Sequence, residues 1–354
     1  MAGNVETEID GLLRTVIGRA GSDVVFAPGA PISARFDGQL ERLDDRPLSP
    51  DDTERIARQL AGSRWDRLVG LRQLDFSFTF GEIARIRANL FFQRGTLAGA
   101  LRLIPYVIPS LEELGAPPVC VELTASRSGL VLITGATGSG KSTTLAAMID
   151  RINRERPLHI ITIEDPIEYV HRHRRSLVVQ REVGSDTPDF AGALRAALRE
   201  DPDVILVGEM RDLETISATL TLAETGHLVF ATLHTNDTAQ AVDRIVDVFP
   251  PQQQQQVRIQ LAQTLAAVIH QHLLARADGP GRVAAFEIML GSAAVRNLIR
   301  DGKTGQLRNV LATGATHGMQ TLEADLRRLR HAGAISREAA MAASRHPSEL
   351  EGET

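Results

Sequence analysis

Residues 129–143 read Gly-Leu-Val-Leu-Ile-Thr-Gly-Ala-Thr-Gly-Ser-Gly-Lys-Ser-Thr. Leu130 to Thr134 form an apolar run suited to a buried strand. Gly135 to Ser142 fit G-x-x-x-x-G-K followed by Ser or Thr at every fixed position, and Thr143 to Ile149 carry an apolar helix face. Strand, glycine-rich loop and helix in that order make a phosphate-binding loop. Gly135, Ala136, Thr137, Gly138, Ser139 and Gly140 curl so that backbone N–H groups point inward, which glycine permits without steric cost. The helix beginning near Lys141 adds the positive end of its dipole. Lys141 supplies a charge for the β/γ-phosphates, the Ser142 hydroxyl suits Mg²⁺, and Thr143 completes the first turn.

A nucleotide site needs more than a loop that holds phosphates. It needs a carboxylate to organise Mg²⁺ and a group that activates water. Two acidic segments lie at the ends of apolar, strand-like runs, where open α/β sheets place ligands. One is Ile-Thr-Ile-Glu-Asp-Pro-Ile-Glu, with Glu164 and Asp165 past the strand His159 to Glu164. The other is Val-Ile-Leu-Val-Gly-Glu-Met-Arg-Asp, with Glu209, Arg211 and Asp212 past the strand Val204 to Val207. A third strand, Leu228 to Leu233, ends in Ala-Thr-Leu-His-Thr-Asn and delivers His234 to the same expected edge. A lone histidine is more often structural; at this edge it can sense the γ-phosphate or relay to a neighbour. His171 and His173, in His-Arg-His-Arg-Arg, have no acidic or cysteine partner at ligand spacing and read as a solvated loop.

The chain has 354 residues, enough for two domains or three, with a net charge of −5, which argues against a general nucleic-acid or membrane-surface binder. Cys120 is the only cysteine, so neither an intramolecular disulfide nor a cysteine zinc cluster can form, and a cytosolic location is expected. The start, Met-Ala-Gly-Asn-Val-Glu-Thr-Glu, lacks the features of a signal peptide, and no apolar run approaches the ~20 residues of a membrane span. Any membrane role is expected to come through a partner.

Residues 1–104 read as a small α+β domain. Glu6 to Arg19 and Pro50 to Ala61 have helical spacing; Asp23 to Phe26, Ile32 to Phe36, Phe76 to Phe80 and Ile83 to Phe92 read as strands. Pro105, Pro109, Pro117 and Pro118 suit a linker over 105–118. From Val119 strands alternate with helices, the signature of a parallel sheet, up to about residue 290. Phe190 to Glu200 and Thr215 to Glu224 are expected helices. Past Pro251 the chain reads as mostly helical apart from Val283 to Met289, with 291–345 a helical region and 346–354 a disordered tail. The five glutamines at 252–256 read as a polar face at a helix start.

Taken together these segments resemble the superfamily of type II/type IV secretion and pilus ATPases, whose Walker A, Asp box, Walker B and His box correspond to 135–143, 161–171, 204–212 and 226–236. The resemblance reaches the type IV pilus retraction ATPases of the PilT family and covers nearly the whole chain. Leu-Asp-Phe-Ser-Phe, Ala-Arg-Ile-Arg-Ala-Asn, Leu-Glu-Glu-Leu-Gly and Gly-Met-Gln-Thr-Leu look like family segments. Ala294, Val295, Arg296, Asn297, Leu298, Ile299, Arg300 and Asp301 resemble the A-I-R-N-L-I-R-E hallmark of retraction ATPases. By itself this octet is an amphipathic helix with a narrow stripe of Ala294, Leu298 and Val295. Departures are mild: Val295 stands for Ile, Asp301 for Glu, and Ser22-Asp23-Val24-Val25 lacks a histidine common there.

The resemblance implies an α/β fold: a RecA-like P-loop NTPase core with an N-terminal α+β, PAS-like domain and a helical C-terminal region. It implies a homohexamer that binds ATP and Mg²⁺ and powers pilus retraction. In that picture Lys141 and the loop hold the phosphates, Ser142 and Glu164 serve the metal, and Glu209 activates water. Arg195 and Arg199, four apart on one expected helix face, and Arg87 and Arg102 in the N-terminal domain face the phosphates. The implied partners are an inner-membrane platform protein, which would hold the motor at the inner face of the membrane, and a paralogous retraction ATPase; no nucleic acid is expected. Length and the single cysteine disfavour a pilus-assembly or type II secretion ATPase, which usually carries an extra N-terminal domain and a four-cysteine zinc insertion. A nucleic-acid motor, supported only by the 171–175 run, and an ATP-binding regulatory protein without turnover are the alternatives.

Overall fold

The structure is a computed structural model that describes residues 8–351 except 20, 37, 38, 82 and 106. Glu6 and Thr7 of the expected first helix and residues 352–354 of the expected tail lie outside the described residues. The chain divides into two compact units, Met1–Val107 and Ile108–Thr354.

The first unit contains α1 (Glu8–Gly18), β1 (Asp23–Phe26), β2 (Ser33–Phe36), β3 (Gln39–Arg42), α2 (Pro50–Ala61), α3 (Trp65–Leu71), β4 (Gln73–Phe80), β5 (Ala84–Gln93) and β6 (Thr96–Pro105). The strands form one antiparallel sheet in the order β3-β2-β1-β6-β5-β4. Alternation along β5 buries Ile86, Ala88 and Leu90 with Leu13 and Val16 of α1 and Ile56 of α2. Arg85, Arg87 and Asn89 take the other face, and the register sets Arg87 directly opposite Arg102. Ser49 and Asp52 close a capping box on α2.

The second unit contains α4 (Pro118–Thr124), β7 (Gly129–Thr134), α5 (Lys141–Glu155), β8 (His159–Glu164), β9 (Leu177–Glu182), α6 (Phe190–Ala197), β10 (Val204–Val207), α7 (Leu213–Glu224), β11 (Leu228–Leu233), α8 (Thr238–Asp247), α9 (Pro251–Thr264), β12 (Leu265–Ala275), β13 (Arg282–Leu290), α10 (Ala293–Arg300), α11 (Leu307–Thr313), α12 (Leu322–His331), α13 (Arg337–Ala343) and α14 (Ser348–Glu351). Its sheet runs β13-β12-β7-β11-β10-β8-β9, parallel except for β12 with β13.

The apolar strands are apolar on both sides because helices cover both faces. Leu130, Leu132, Ile161, Ile163, Ile205, Val207, Val229 and Ala231 pack against α6, α7, α8 and α9. The alternate set, Val131, Ile133, Ile160, Val204, Leu206, Leu228 and Phe230, packs against α4 and α5. Asp189, Asp212, Asp237 and Ser292 cap α6, α7, α8 and α10 with side-chain oxygens, which fixes where each helix begins after its strand.

Several expectations are corrected. Leu111, inside the expected linker, is buried in the second unit's core, so that segment belongs to the domain. β12 is a strand of eleven residues in a region read as helical; its Val268 and Ile269 are fully buried in the middle of the sheet. The expected disordered tail is ordered as far as Glu351, with Leu350 buried among Leu322, Leu326 and Ile335. On α10 the buried stripe is Val295 and Ile299, while Ala294 is exposed and Leu298 only half-buried. α6 ends at Ala197, so Arg199 sits in a turn rather than one helical turn after Arg195.

Gly291 joins β13 to α10, and a Cβ there would stand 1.9 Å from the Leu265 carbonyl oxygen. Gly291→Ala is expected to lower the thermal midpoint by several degrees. Gly305→Ala, where nothing lies within 4 Å of the added carbon, is expected to leave it within about a degree in the same thermal scan.

Candidate functional site

Strand register brings the chemistry to one edge. Thr134 pairs with Leu233 across β7 and β11, and Val207 pairs with Ile163 across β10 and β8. The residues that follow these strands therefore emerge side by side: the phosphate loop, His234, Glu209 and Glu164. Gly208 makes the approach possible. Its N–H donates to the Ile163 carbonyl at 2.7 Å, and a Cβ on it would lie 3.1 Å from the Glu164 Cα. The Thr232 hydroxyl bonds the Gly208 carbonyl, and the Met210 N–H donates to the Thr232 carbonyl at 3.1 Å. The Walker B glycine is thus the point where three strand ends are pinned together.

In the loop, Gly135, Gly138 and Gly140 have φ of 144°, 79° and 89°, values that L side chains rarely adopt. Lys141 is buried, and its Nζ donates to the carbonyls of Gly135 at 2.8 Å and Ala136 at 3.0 Å. Burial pulls the pKa of its ammonium down, while the charges of Glu209 and Glu168 oppose that. The cation thus sits curled against its own loop, within reach of a stronger anionic partner. Ser139 Oγ is buried with no hydrogen-bond partner among the described residues, a polar atom left for a ligand to satisfy.

Glu209 is held from two sides. Its Oε1 accepts from Arg211 Nε at 2.6 Å and lies 3.4 Å from His234 Nε2. Burial pushes its pKa up, but the Arg211 hydrogen bond and the His234 charge outweigh that and keep the carboxyl below its ordinary value. A carboxylate in this state is an anion ready to orient or accept a proton from water. A cavity of about 440 Å³ opens beside it, lined in part by Arg211, His234, Asn236, Gln240 and Asp243.

Glu164 is different. Burial pushes its carboxyl up to about 7, with Thr162 Oγ1 at 2.6 Å and Gln180 Nε2 at 3.2 Å pulling the other way. Such a carboxyl ionises readily once a cation is near. Among the described residues no group of three or more His, Cys, Asp or Glu could hold a metal alone. The Ser142 hydroxyl and Glu164 carboxylate are hard oxygen donors of the kind Mg²⁺ takes alongside phosphates and waters, so the residues fit that ion bound with a nucleotide.

The arginines divide. Arg199 lies in the turn before β10, and that segment is tied to the start of β8: the His159 N–H donates to Asp203 at 2.8 Å and the His159 ring meets the Asp201 carbonyl at 3.2 Å. This is the sheet edge opposite Glu164 and Glu209. Arg195 is exposed on α6. The positive charges that act on Glu209 include those of Arg211, His234 and Lys141. Arg87 and Arg102 belong to the first unit, where Arg102 pairs with Asp23 at 3.0 Å.

The arginine-rich run is not a solvated loop throughout. His171 is 8% exposed, its N–H donates to Gln180 Oε1 at 2.7 Å, and its Nδ1 has no partner among the described residues. His173 Nδ1 accepts from the Val178 N–H, and the Arg175 guanidinium donates to the Glu155 carbonyl at 2.6 Å. Tyr169, in the same segment, meets the Thr143 hydroxyl at 2.9 Å, so the Asp-box loop is fastened to the phosphate-loop helix. Sequence reasoning missed Tyr169, Gln180 and the polar triplet His270-Gln271-His272. The triplet is legible as a polar interruption of an apolar strand, once the strand itself is seen.

Comparison with known proteins agrees with this architecture. Residues 112–345 match the family described as Type II/IV secretion system protein. A Neisseria gonorrhoeae twitching motility protein is 50% identical over 86% of this chain and 82% of its own length. The type IV pilus retractation ATPase PilT of Pseudomonas aeruginosa is 46% identical over 96% of this chain and 99% of its own. The crystal structure of the pilus retraction motor PilT with bound ADP superposes with a TM-score of 0.91 at 48% identity, covering 98% of this chain and all of that one. The chain belongs to the Type II/IV secretion system protein family, with its RecA-like core.

Burial holds the His171 imidazole neutral down to about 4, against an ordinary 6.5. The unfolded chain takes up that proton first as pH falls, so His171 makes stability decline from about 6.5 towards about 4. Urea unfolding across that window is expected to show a shallower decline for His171→Gln than for wild type.

Proposed function

We propose that this protein is an ATP-hydrolysing motor that drives type IV pilus retraction. The observation that carries the reading is the convergence on one sheet edge of a complete phosphate loop with Glu164, Glu209 and His234, in a chain so close to a retraction ATPase over nearly its whole length. ATP is bound by residues 135–143. Lys141 leaves the Gly135 and Ala136 carbonyls for the β/γ-phosphates, exchanging neutral acceptors for charged ones. Ser142 and Glu164 would hold Mg²⁺, which would supply positive charge to the phosphates. Glu209 orients the attacking water, and His234 holds Glu209 and senses the γ-phosphate side.

The unit of function is a homohexamer. Arg199, in the turn at the opposite sheet edge from Glu209, and Arg195, exposed on α6, are candidates to meet a neighbouring subunit's nucleotide. Arg87 and Arg102, opposite each other on β5 and β6, are the candidate phosphate ligands that the N-terminal domain offers. α10 exposes Ala294, Arg296, Asn297 and Arg300, with Asp301 beyond it, while Val295 and Ile299 anchor the helix and Leu298 packs partly beside them. That exposed face passes work to the pilus machinery. No described helix is long and apolar enough to cross a membrane. In this reading the motor works at the inner face of the membrane through a platform protein, with or without a paralogous ATPase. The fastening of residues 171–175 to α5 weighs against a nucleic-acid groove there.

The test is surface pilus number and twitching in a strain lacking the gene, complemented with wild type or Glu209→Gln. Excess pili without twitching, rescued by wild type alone, is the expected result. Loss of pili would mark an assembly motor, and no change in either would remove the pilus reading.

A further inference from the structure

β12 was the strand hidden from the sequence, and it is the phosphate loop's neighbour. It runs parallel to β7, with His270 opposite Thr134, so the next residue stands beside the loop. Gln271 is 3% exposed, and its Oε1 accepts from the Thr144 hydroxyl at 2.8 Å. Its Nε2 lies against Gly140, where an added Cβ would be only 2.7 Å away, and its main-chain oxygen lies 2.4 Å from where a Cβ on Gly135 would stand. The two glycines that bracket the loop thus both rest on one residue, and the first turn of α5 is bonded to it.

His270 faces the other neighbour. It is 5% exposed, its Nδ1 is 3.2 Å from the Thr134 hydroxyl, and its ring faces the main chain at Thr235, the residue after His234. Burial, with the charges of His272 and Lys141 nearby, keeps the imidazole neutral down to about 4. A neutral ring carries one acceptor and one donor, so it can accept a hydrogen bond from the Thr134 hydroxyl and turn its N–H towards the Thr235 main chain at once.

We propose that Gln271 and His270 are positioning residues of the nucleotide site: Gln271 holds the phosphate loop in its binding shape, and His270 ties that loop to the segment carrying His234. Neither touches nucleotide; each acts through groups that do. The inference rests on the ATPase reading and deepens it. Loss of Gln271's contacts loosens phosphate binding, which is felt in ground state and transition state alike. Loss of His270 frees His234, which matters only as the γ-phosphate reacts.

Steady-state ATPase kinetics on the full chain test the division. Gln271→Met is expected to raise KM for ATP about fivefold or more with kcat within about twofold, and Thr144→Val to do the same, while Thr144→Ser stays near wild type. His270→Leu is expected to lower kcat about tenfold with KM within about twofold, and His270→Asn to restore part of it. If Gln271→Met fails to fold, Thr144→Val and Thr144→Ser still decide the Gln271 half; if His270→Leu fails, His270→Asn carries the other. Variants that lower the thermal midpoint while leaving kcat and KM of the folded protein unchanged, or that move both constants alike, would overturn the proposal. A wild-type chain with no turnover would sink the ATPase reading instead, and fluorescently labelled ADP binding by Gln271→Met would then still test the loop-holding role.

Discussion

The register of four parallel strands, β7, β11, β10 and β8, is the constraint on which the rest depends. The four pair with one another without a slip, and each is apolar on both faces. A shift of one residue in any of them would exchange the side chains between the two cores and carry one functional group away from the others. The burial that sets the register therefore also sets the distance between the acid, the histidine and the phosphate loop. Gly208 sharpens the point: a side chain there would wedge apart β10 and the end of β8, where Glu209 and Glu164 emerge.

The two carboxyls at that edge have been given opposite characters by their surroundings. Glu209 sits beside Arg211 and His234 and is kept ionised. Glu164 is desolvated, bonded to neutral donors, and pushed up to about 7. Neighbouring acids with separated pKa values divide labour: one is ready to handle a proton, the other is charged most cheaply when a cation arrives. Lys141, drawn onto backbone carbonyls, completes a site whose charges are paired internally and can be re-paired by a nucleotide.

Much of this was legible in the residues because it is local. The phosphate loop needs glycines at fixed offsets, and buried strands ending in acids announce themselves by composition. What was not legible depends on contacts distant in sequence. β12 follows a helix whose polar glutamines set a helical expectation, and only pairing with β7 and β13 shows Leu265–Ala275 to be a strand. His171 lies in a run whose charge suggests solvent, yet Gln180, from the next strand, takes its N–H and the ring is covered. On α10 the octet's pattern suggested Ala294 for the stripe, but packing against α9 selected Val295 and Ile299. Arg195 and Arg199 have helical spacing, but α6 stops between them.

The most direct test of the central claim separates binding from chemistry at this edge. Single-turnover hydrolysis and equilibrium ATP binding would be measured in the presence of Mg²⁺ for wild type, Lys141→Ala and Glu209→Gln. The account predicts that Lys141→Ala loses binding, whereas Glu209→Gln binds ATP but hydrolyses it at a small fraction of the wild-type rate. Hydrolysis by Glu209→Gln at the wild-type rate, or normal turnover by Lys141→Ala, would contradict it.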